Sequence, residues 1–338
     1  MGKKFKTLII IVVMSVSLFI IFSPIGPVRG DNNIKKIEKT LGEKPISCYV
    51  IPNFEIKRST IENRSDGKID LVEVRSCDKT VRFYEATPKV VDSKTPLVFA
   101  LHQTTKFGKD EVMGYAGDSN LSYGKRFFDN GYIVIAPDIF IAGENYDEKI
   151  GYDTKDFYEL YPNWSAMGKM LEDHKAVANY ARRKFGDRCY GVIGHSLGGH
   201  NALFLAAFNK DIDVLISSAG FTSMETDSEA SRWARSSWFI YMPLLRPYLT
   251  SNDSNKKLPW DFSDLLQSVT PRAALIIHGK NDSSWSNNSS VPRMVYDINA
   301  QSPYKQKIEM IFHNGGHEFG VVLQDQAINF ATKSCAFD

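Results

Sequence analysis

From Pro96 onward the chain alternates short, continuous apolar runs with amphipathic stretches, and this alternation leaves few architectures open. The runs PLVFALH, YIVIAPDIF, YGVIGHS, IDVLISSAG, RAALIIHG and QKIEMIFH are rich in Val, Ile and Leu and show no polar alternation. A strand that is apolar on both sides must be covered on both sides, as in a mostly parallel sheet held between layers of helices. The intervening stretches Ala166 to Lys184, Gly198 to Phe208 and Val291 to Asn299 have helical spacing and can supply those layers. Upstream, residues 69–76 (IDLVEVRS) and 80–87 (TVRFYEAT) alternate apolar and polar residues about Cys77-Asp78-Lys79, which predicts an antiparallel hairpin. A dinucleotide-binding fold would need a glycine-rich turn after its first parallel strand, and none is present, so no cofactor is expected.

The first thirty residues differ from the rest. Lys3, Lys4 and Lys6 precede an apolar-to-small run from Leu8 to Phe22, and Val28-Arg29-Gly30 offers small residues at the minus-three and minus-one positions of a cleavage site. The run is about 15 residues, short of the roughly 20 that span a bilayer, so it reads as an export signal, with an uncleaved N-terminal anchor as the alternative. Removing residues 1–30 deletes four basic and no acidic residues, taking the net charge from +2 to +2 − 4 = −2. A near-neutral chain has no electrostatic footprint for nucleic acid, and no zinc-type Cys/His spacing suggests a metal. Residues 31–43 are polar and lysine-rich and predict a surface segment. The whole divides into a leader (1–30), an N-terminal extension with the hairpin (31–95) and one domain (96–338) carrying an insertion at about 221–270.

Four cysteines in a chain that leaves the reducing cytoplasm allow disulfides in three connectivities, with free thiols as the alternative. Cys48 and Cys77 share the extension, while the strand-helix order brings Cys189 and Cys335 to one end of the sheet. The pairing 48 with 77 and 189 with 335 is therefore favoured.

Gly194-His195-Ser196-Leu197-Gly198 follows a strand and opens a helix, the context of a nucleophile elbow. A serine hydroxyl needs a neighbouring base to take its proton, work suited to an imidazole. Of seven histidines, His317 in HNGGHEFG ends the last apolar strand in a glycine-rich loop before the final helix, the place expected of the base. His174, His278 and His313 lie on a helix, a strand end and a strand, where packing is the expected role, and His200 is expected to point off the elbow helix. Asp282, just beyond RAALIIHG, is the carboxylate expected to orient the imidazole; Asp297 lies within the next helix and fits less well. Negative charge developing on a carbonyl oxygen needs waiting donors. The backbone N–H of Leu197 is one. The second should come from the loop after PLVFALH, where Gln103 and Thr104 both remain open. Between Gly220 and Arg272 lie Trp233, Trp238, Phe239, Tyr241, Tyr248, Trp260 and Phe262, which could wall a ligand site or pack as a core.

The segments ALHQTTKFGKDE, YPNWSAMGKMLEDH, GVIGHSLGGHNALFLAAF, PWDFSDLL and TPRAALIIHGKND resemble the acetyl xylan esterase and dienelactone hydrolase branch of the α/β-hydrolase superfamily, over roughly residues 96–331. The resemblance implies the α/β-hydrolase fold, with Ser196 as nucleophile, Asp282 as acid, His317 as base and the Leu197 N–H in the oxyanion hole. With the export signal read from the leader, this gives an exported serine esterase acting on a small-molecule or carbohydrate ester. Dienelactone hydrolases proper carry Cys where this chain has Ser196, which favours ester hydrolysis by the serine route. Peptidases of the prolyl oligopeptidase group share the catalytic domain but add a β-propeller that this chain is too short to hold; a peptidase is the alternative. A non-catalytic binding module on the same fold would be expected to lack triad members. The mature protein is expected to begin at Asp31, which N-terminal sequencing of protein from its native host checks; recovery of Met1 would show the anchor instead.

Overall fold

The computed structural model describes residues 29–49, 56–250 and 257–336, which build one nine-stranded sheet. Its strands are β1 (Lys57–Arg64), β2 (Gly67–Ser76), β3 (Lys79–Pro88), β4 (Leu97–Leu101), β5 (Ile133–Pro137), β6 (Tyr190–His195), β7 (Val214–Ser218), β8 (Ala273–Gly279) and β9 (Glu309–His313). They lie in the order β1-β2-β3-β5-β4-β6-β7-β8-β9. The strands β1 to β3 are antiparallel and β3 joins β5 antiparallel; from β5 to β9 every neighbouring pair is parallel.

All residues of β4, β5, β6 and β7 are buried, which is why their sequences read as unbroken apolar runs. Alternate residues serve opposite faces. Phe99, Val192, Leu215 and Ile276 pack in one core with Met167 of the Ala166–Phe185 helix and Leu203 of the Leu197–Phe208 helix. Val98, Ile193, Ile216 and Ile277 pack in the other with Phe127 and with Ile328 of the Val321–Ser334 helix.

The β2–β3 hairpin pairs Ser76 with Lys79, leaving Cys77-Asp78 as a two-residue turn in which Cys77 takes φ 53°. Cys48 bonds Cys77, with Cα atoms 3.9 Å apart, and Cys189 bonds Cys335 at 5.5 Å, the favoured connectivity. The second bridge ties the end of the last helix to the start of the strand that leads to Ser196.

Two features depart from the sequence reading. The strand β1 was not expected, because its side chains are mostly exposed and polar and carry no apolar alternation. Its place is fixed by charge instead. Asp70 and Glu85 face each other across β2 and β3, an arrangement of like charges that is unfavourable by itself. Arg58 of β1 bridges them at 2.6 and 2.8 Å, and both carboxylates are fully buried. Their carboxyls stay below the usual range: burial pushes each up, but hydrogen bonds from Lys68 and Arg58 on Asp70, and from Arg58 and Lys184 on Glu85, outweigh it. The second departure concerns residues 31–43, which are not simply surface. They belong to the Arg29–Leu41 helix, which buries Ile37 and Leu41, while Thr40 Oγ1 accepts a 2.8 Å hydrogen bond from Trp260 Nε1. The expected leader lies outside the described residues apart from Arg29 and Gly30, which open this helix. Among the described residues no helix is long and apolar enough to cross a membrane.

Arg58→Ala should lower unfolding free energy by about 3 kcal/mol, since it removes the cation that touches both facing buried carboxylates and leaves Asp70 with Lys68 and Glu85 with Lys184. Lys68→Ala, removing a half-exposed partner of Asp70, should cost less than about 1 kcal/mol. Urea unfolding of both variants checks the contrast.

Candidate active site

The turn from β6 into the Leu197–Phe208 helix presents Ser196 at φ 54°, ψ −122°, a conformation that non-glycine residues rarely adopt. It is held because the surrounding backbones leave no alternative. A Cβ on Gly194 would lie 2.2 Å from the Gly198 backbone, and one on Gly198 would lie 1.9 Å from the Leu101 carbonyl. The Ser196 N–H donates to the Ser218 carbonyl at 2.8 Å. The ends of β4, β6 and β7 therefore meet at the elbow.

Asp282 follows β8 and His317 follows β9, and both loops bring their side chains to Ser196. His317 Nδ1 lies 2.7 Å from Asp282 Oδ2, and Nε2 lies 2.9 Å from Ser196 Oγ. A carboxylate can only accept, so Nδ1 carries the proton and Nε2 is left to accept from the serine hydroxyl. Asp282 Oδ1 accepts from the Ser284 N–H at 2.9 Å. Burial alone would raise the Asp282 carboxyl, but the hydrogen bond and charge of His317, with the Ser284 N–H, hold it below the usual carboxylate range. It remains an anion at neutral pH.

The other histidines near the elbow are kept uncharged. Burial, then the charge of His317, pushes His195 down to about 3; its ring packs 4.8 Å from that of His317 and its Nδ1 lies 3.1 Å from Ser218 Oγ. His200 points off the elbow helix into the interior. It is buried, stacks 4.8 Å from Trp233, and burial pushes it down to about 3 as well.

Ser196, Leu197, Thr104 and His317 open into one cavity of about 210 Å³. Its wall comes from the aromatic stretch between Gly220 and Arg272, through Trp233, Trp238, Phe239 and Tyr241, and from Trp285. This stretch does both things its sequence allowed: Phe239, Tyr241, Trp260 and Phe262 are buried, whereas Trp238 is 48% exposed at the cavity. Trp285 escaped the sequence reading. It stands three residues beyond Asp282, outside the aromatic stretch, and stacks 5.7 Å from Trp233. Arg232 lies 5.2 Å over the Trp285 ring. The two candidates for the second donor are separated by their surroundings. Thr104 lines the cavity, whereas the Gln103 side chain is buried away from it against Glu111 and Tyr123.

The family model for the dienelactone hydrolase family matches residues 107–241, a span that holds Ser196 and ends before Asp282 and His317. A glucuronoyl esterase from Solibacter usitatus superposes with a TM-score of 0.68 at 13% identity, over 91% of this chain and 92% of that one. The chain has the α/β-hydrolase fold. Two more α/β-hydrolase structures resemble it: a glucuronoyl esterase from Teredinibacter turnerae (TM-score 0.62, 14% identity, 90% of this chain and 83% of that one) and a Bacteroides fragilis protein assigned as an acetyl xylan esterase (TM-score 0.60, 17% identity, 85% and 74%).

The elbow predicts a sharp contrast between two glycines. Gly198→Ala should destabilise by about 3 kcal/mol or more and abolish esterase activity, because backbone cannot give way as a side chain can. Gly320→Ala, with φ −69° and nothing within 4 Å of the added Cβ, should leave activity intact. Circular dichroism melts and hydrolysis of p-nitrophenyl acetate check both.

Proposed function

We propose that the chain is an exported serine esterase that cleaves carboxylic esters through an acyl-enzyme on Ser196. The observation that carries this reading is the unbroken path from Asp282 through His317 to Ser196 Oγ, at 2.7 and 2.9 Å, beside a cavity that can admit a substrate. In the reaction, Ser196 Oγ attacks the ester carbonyl while His317 Nε2 takes its proton. The tetrahedral oxyanion is held by the Leu197 N–H and by Thr104 of the facing loop, aided by the positive end of the Leu197–Phe208 helix. His317 then returns the proton to the leaving alkoxide, the C–O bond breaks and the acyl-enzyme remains. Water, deprotonated by the same imidazole, attacks the acyl carbonyl and frees the acid and Ser196. Asp282 fixes the imidazole tautomer and stabilises its charged form throughout.

Esters of carbohydrates are the substrate class we favour. The similar structures named as glucuronoyl and acetyl xylan esterases support it, as does the aromatic wall, whose planes suit a sugar ring. Two disulfides support an oxidising destination outside the cytoplasm, in keeping with the leader in the sequence.

The three residues should act as one unit. Ser196→Ala and His317→Ala are each expected to remove nearly all turnover of p-nitrophenyl acetate, with the double variant little worse than either. Asp282→Asn should also fall steeply, though less far, since the imidazole survives in the wrong tautomer. Retention of most wild-type turnover by Ser196→Ala, in protein free of contaminating esterase, would end this reading.

A further inference from the structure

The loop after β4 is held from both sides by groups that never reach the cavity. On one side, the Gln103 side chain is buried and its Nε2 donates to Glu111 Oε2, while its Oε1 lies 3.3 Å from the Tyr123 hydroxyl. The Gln103 carbonyl accepts from His102 Nδ1 at 2.7 Å, and His102 Nε2 accepts from the Ile139 N–H at 3.2 Å. These two bonds fix the His102 tautomer, and burial holds its pKa below the ordinary value, so it stays neutral. On the other side, the Tyr152 hydroxyl accepts from the Thr105 N–H at 2.8 Å and donates to the Thr105 carbonyl at 2.6 Å. Thr104 lies between the two clamps. Among the described residues neither its backbone N–H nor that of Gln103 has an acceptor, but Thr104 lines the cavity with Ser196, Leu197 and His317 and Gln103 does not.

The carboxylate at the end of this chain of bonds is unusual in its setting. Glu111 is 6% exposed and, among the described residues, makes no ion pair. Its Oε1 accepts from the Asp118 N–H at 2.9 Å, so each carboxylate oxygen holds one donor. Space for it is left by Gly117, where a Cβ would fall 2.3 Å from Oε1. A buried carboxylate without a counter-ion is costly, and an apolar residue would fill the volume at less cost. What the carboxylate supplies is a charge-assisted hydrogen bond to Gln103, about twice as strong as a neutral one. That bond sets the position of the residue next to Thr104.

We propose that Glu111 is a positioning residue for the oxyanion hole: acting through the Gln103 side chain, and opposed across the loop by Tyr152, it aims the Thr104 N–H at the place where the substrate's oxyanion forms. This rests on the reading of Ser196 as nucleophile. It also assigns Gln103 the part of anchor and leaves the second donor to Thr104. The charge of Glu111 works against an oxyanion in its neighbourhood, so the positioning role and a purely electrostatic one predict opposite effects of removing it.

The test uses the full chain with p-nitrophenyl acetate as substrate and a trifluoromethyl ketone, which adds to the serine as a tetrahedral oxyanion, as inhibitor. Glu111→Met should lower kcat about 10- to 100-fold with KM within about threefold, since the donor is displaced and the binding cavity is untouched. Affinity for the ketone should fall in step with kcat. Gln103→Glu should produce the same loss by setting two carboxylates face to face. Combining Gln103→Glu with Glu111→Gln rebuilds one carboxylate–amide bond with its polarity reversed, and should return kcat to within about threefold of wild type. The combined variant decides the matter if Glu111→Met does not fold. Unchanged or increased kcat in folded Glu111→Met, loss of kcat without loss of ketone affinity, or a combined variant no better than Gln103→Glu alone would each overturn the proposal. Ser196→Ala run alongside keeps the two readings apart: turnover that survives it means the esterase reading has failed, whereas turnover abolished by it, with Glu111→Met unaffected, refutes only the positioning role.

Discussion

The tight approach of backbones at Ser196 governs the rest of the structure. Three strand ends and one helix start converge there, with Gly198 against the Leu101 carbonyl of β4 and the Ser196 N–H bonded to Ser218 at the end of β7. No side chain larger than hydrogen fits at Gly194 or Gly198, so sheet and helix lock into one relative position. The strained dihedrals of Ser196 are the consequence, and burial of the flanking strands on both faces sustains them. Because β4 ends against this helix, the loop from His102 to Thr105 is delivered next to the serine. Because β8 and β9 run parallel to β6, the loops that follow them open on the same edge and carry Asp282 and His317 there.

The electrostatics of this edge follow from burial. His195, whose ring packs 4.8 Å from that of His317, and His200, which lines the same cavity, are held uncharged, so they add packing without adding cations. Asp282 is kept ionised by its hydrogen bonds in spite of burial. The low pKa of His195 keeps a second imidazolium from forming beside His317.

Elements far from the site hold the aromatic stretch in place. The Arg29–Leu41 helix packs near the helix Phe262–Gln267, and Trp260 hydrogen-bonds Thr40, so the N-terminal helix and residues 260–267 brace each other. Tyr152 joins the same system to the chemistry: its ring contacts Trp238 and Phe239 of the cavity wall while its hydroxyl closes on Thr105. The wall and the loop facing Ser196 are thereby mechanically connected.

The sheet was legible because strands buried on both faces must be apolar at every position, and the runs around Val98, Val134, Val192 and Ile216 carry that requirement openly. The grouping of Ser196, Asp282 and His317 was legible for a related reason: each stands immediately after an apolar strand, and parallel strands place their trailing loops on one edge. Interactions between side chains distant in sequence and without a local pattern were not legible. The strand β1 reads as polar because what holds it is Arg58 reaching two carboxylates on neighbouring strands. The inward turn of His200, the stacking of Trp285 on Trp233 and the burial of Ile37 likewise depend on partners that no spacing rule connects. Between Gln103 and Thr104 the sequence could not choose, because adjacent residues on a loop differ in direction and not in kind. Bonds from Glu111 and Tyr123 to Gln103, and from Tyr152 to Thr105, decide which way these two residues of the loop face.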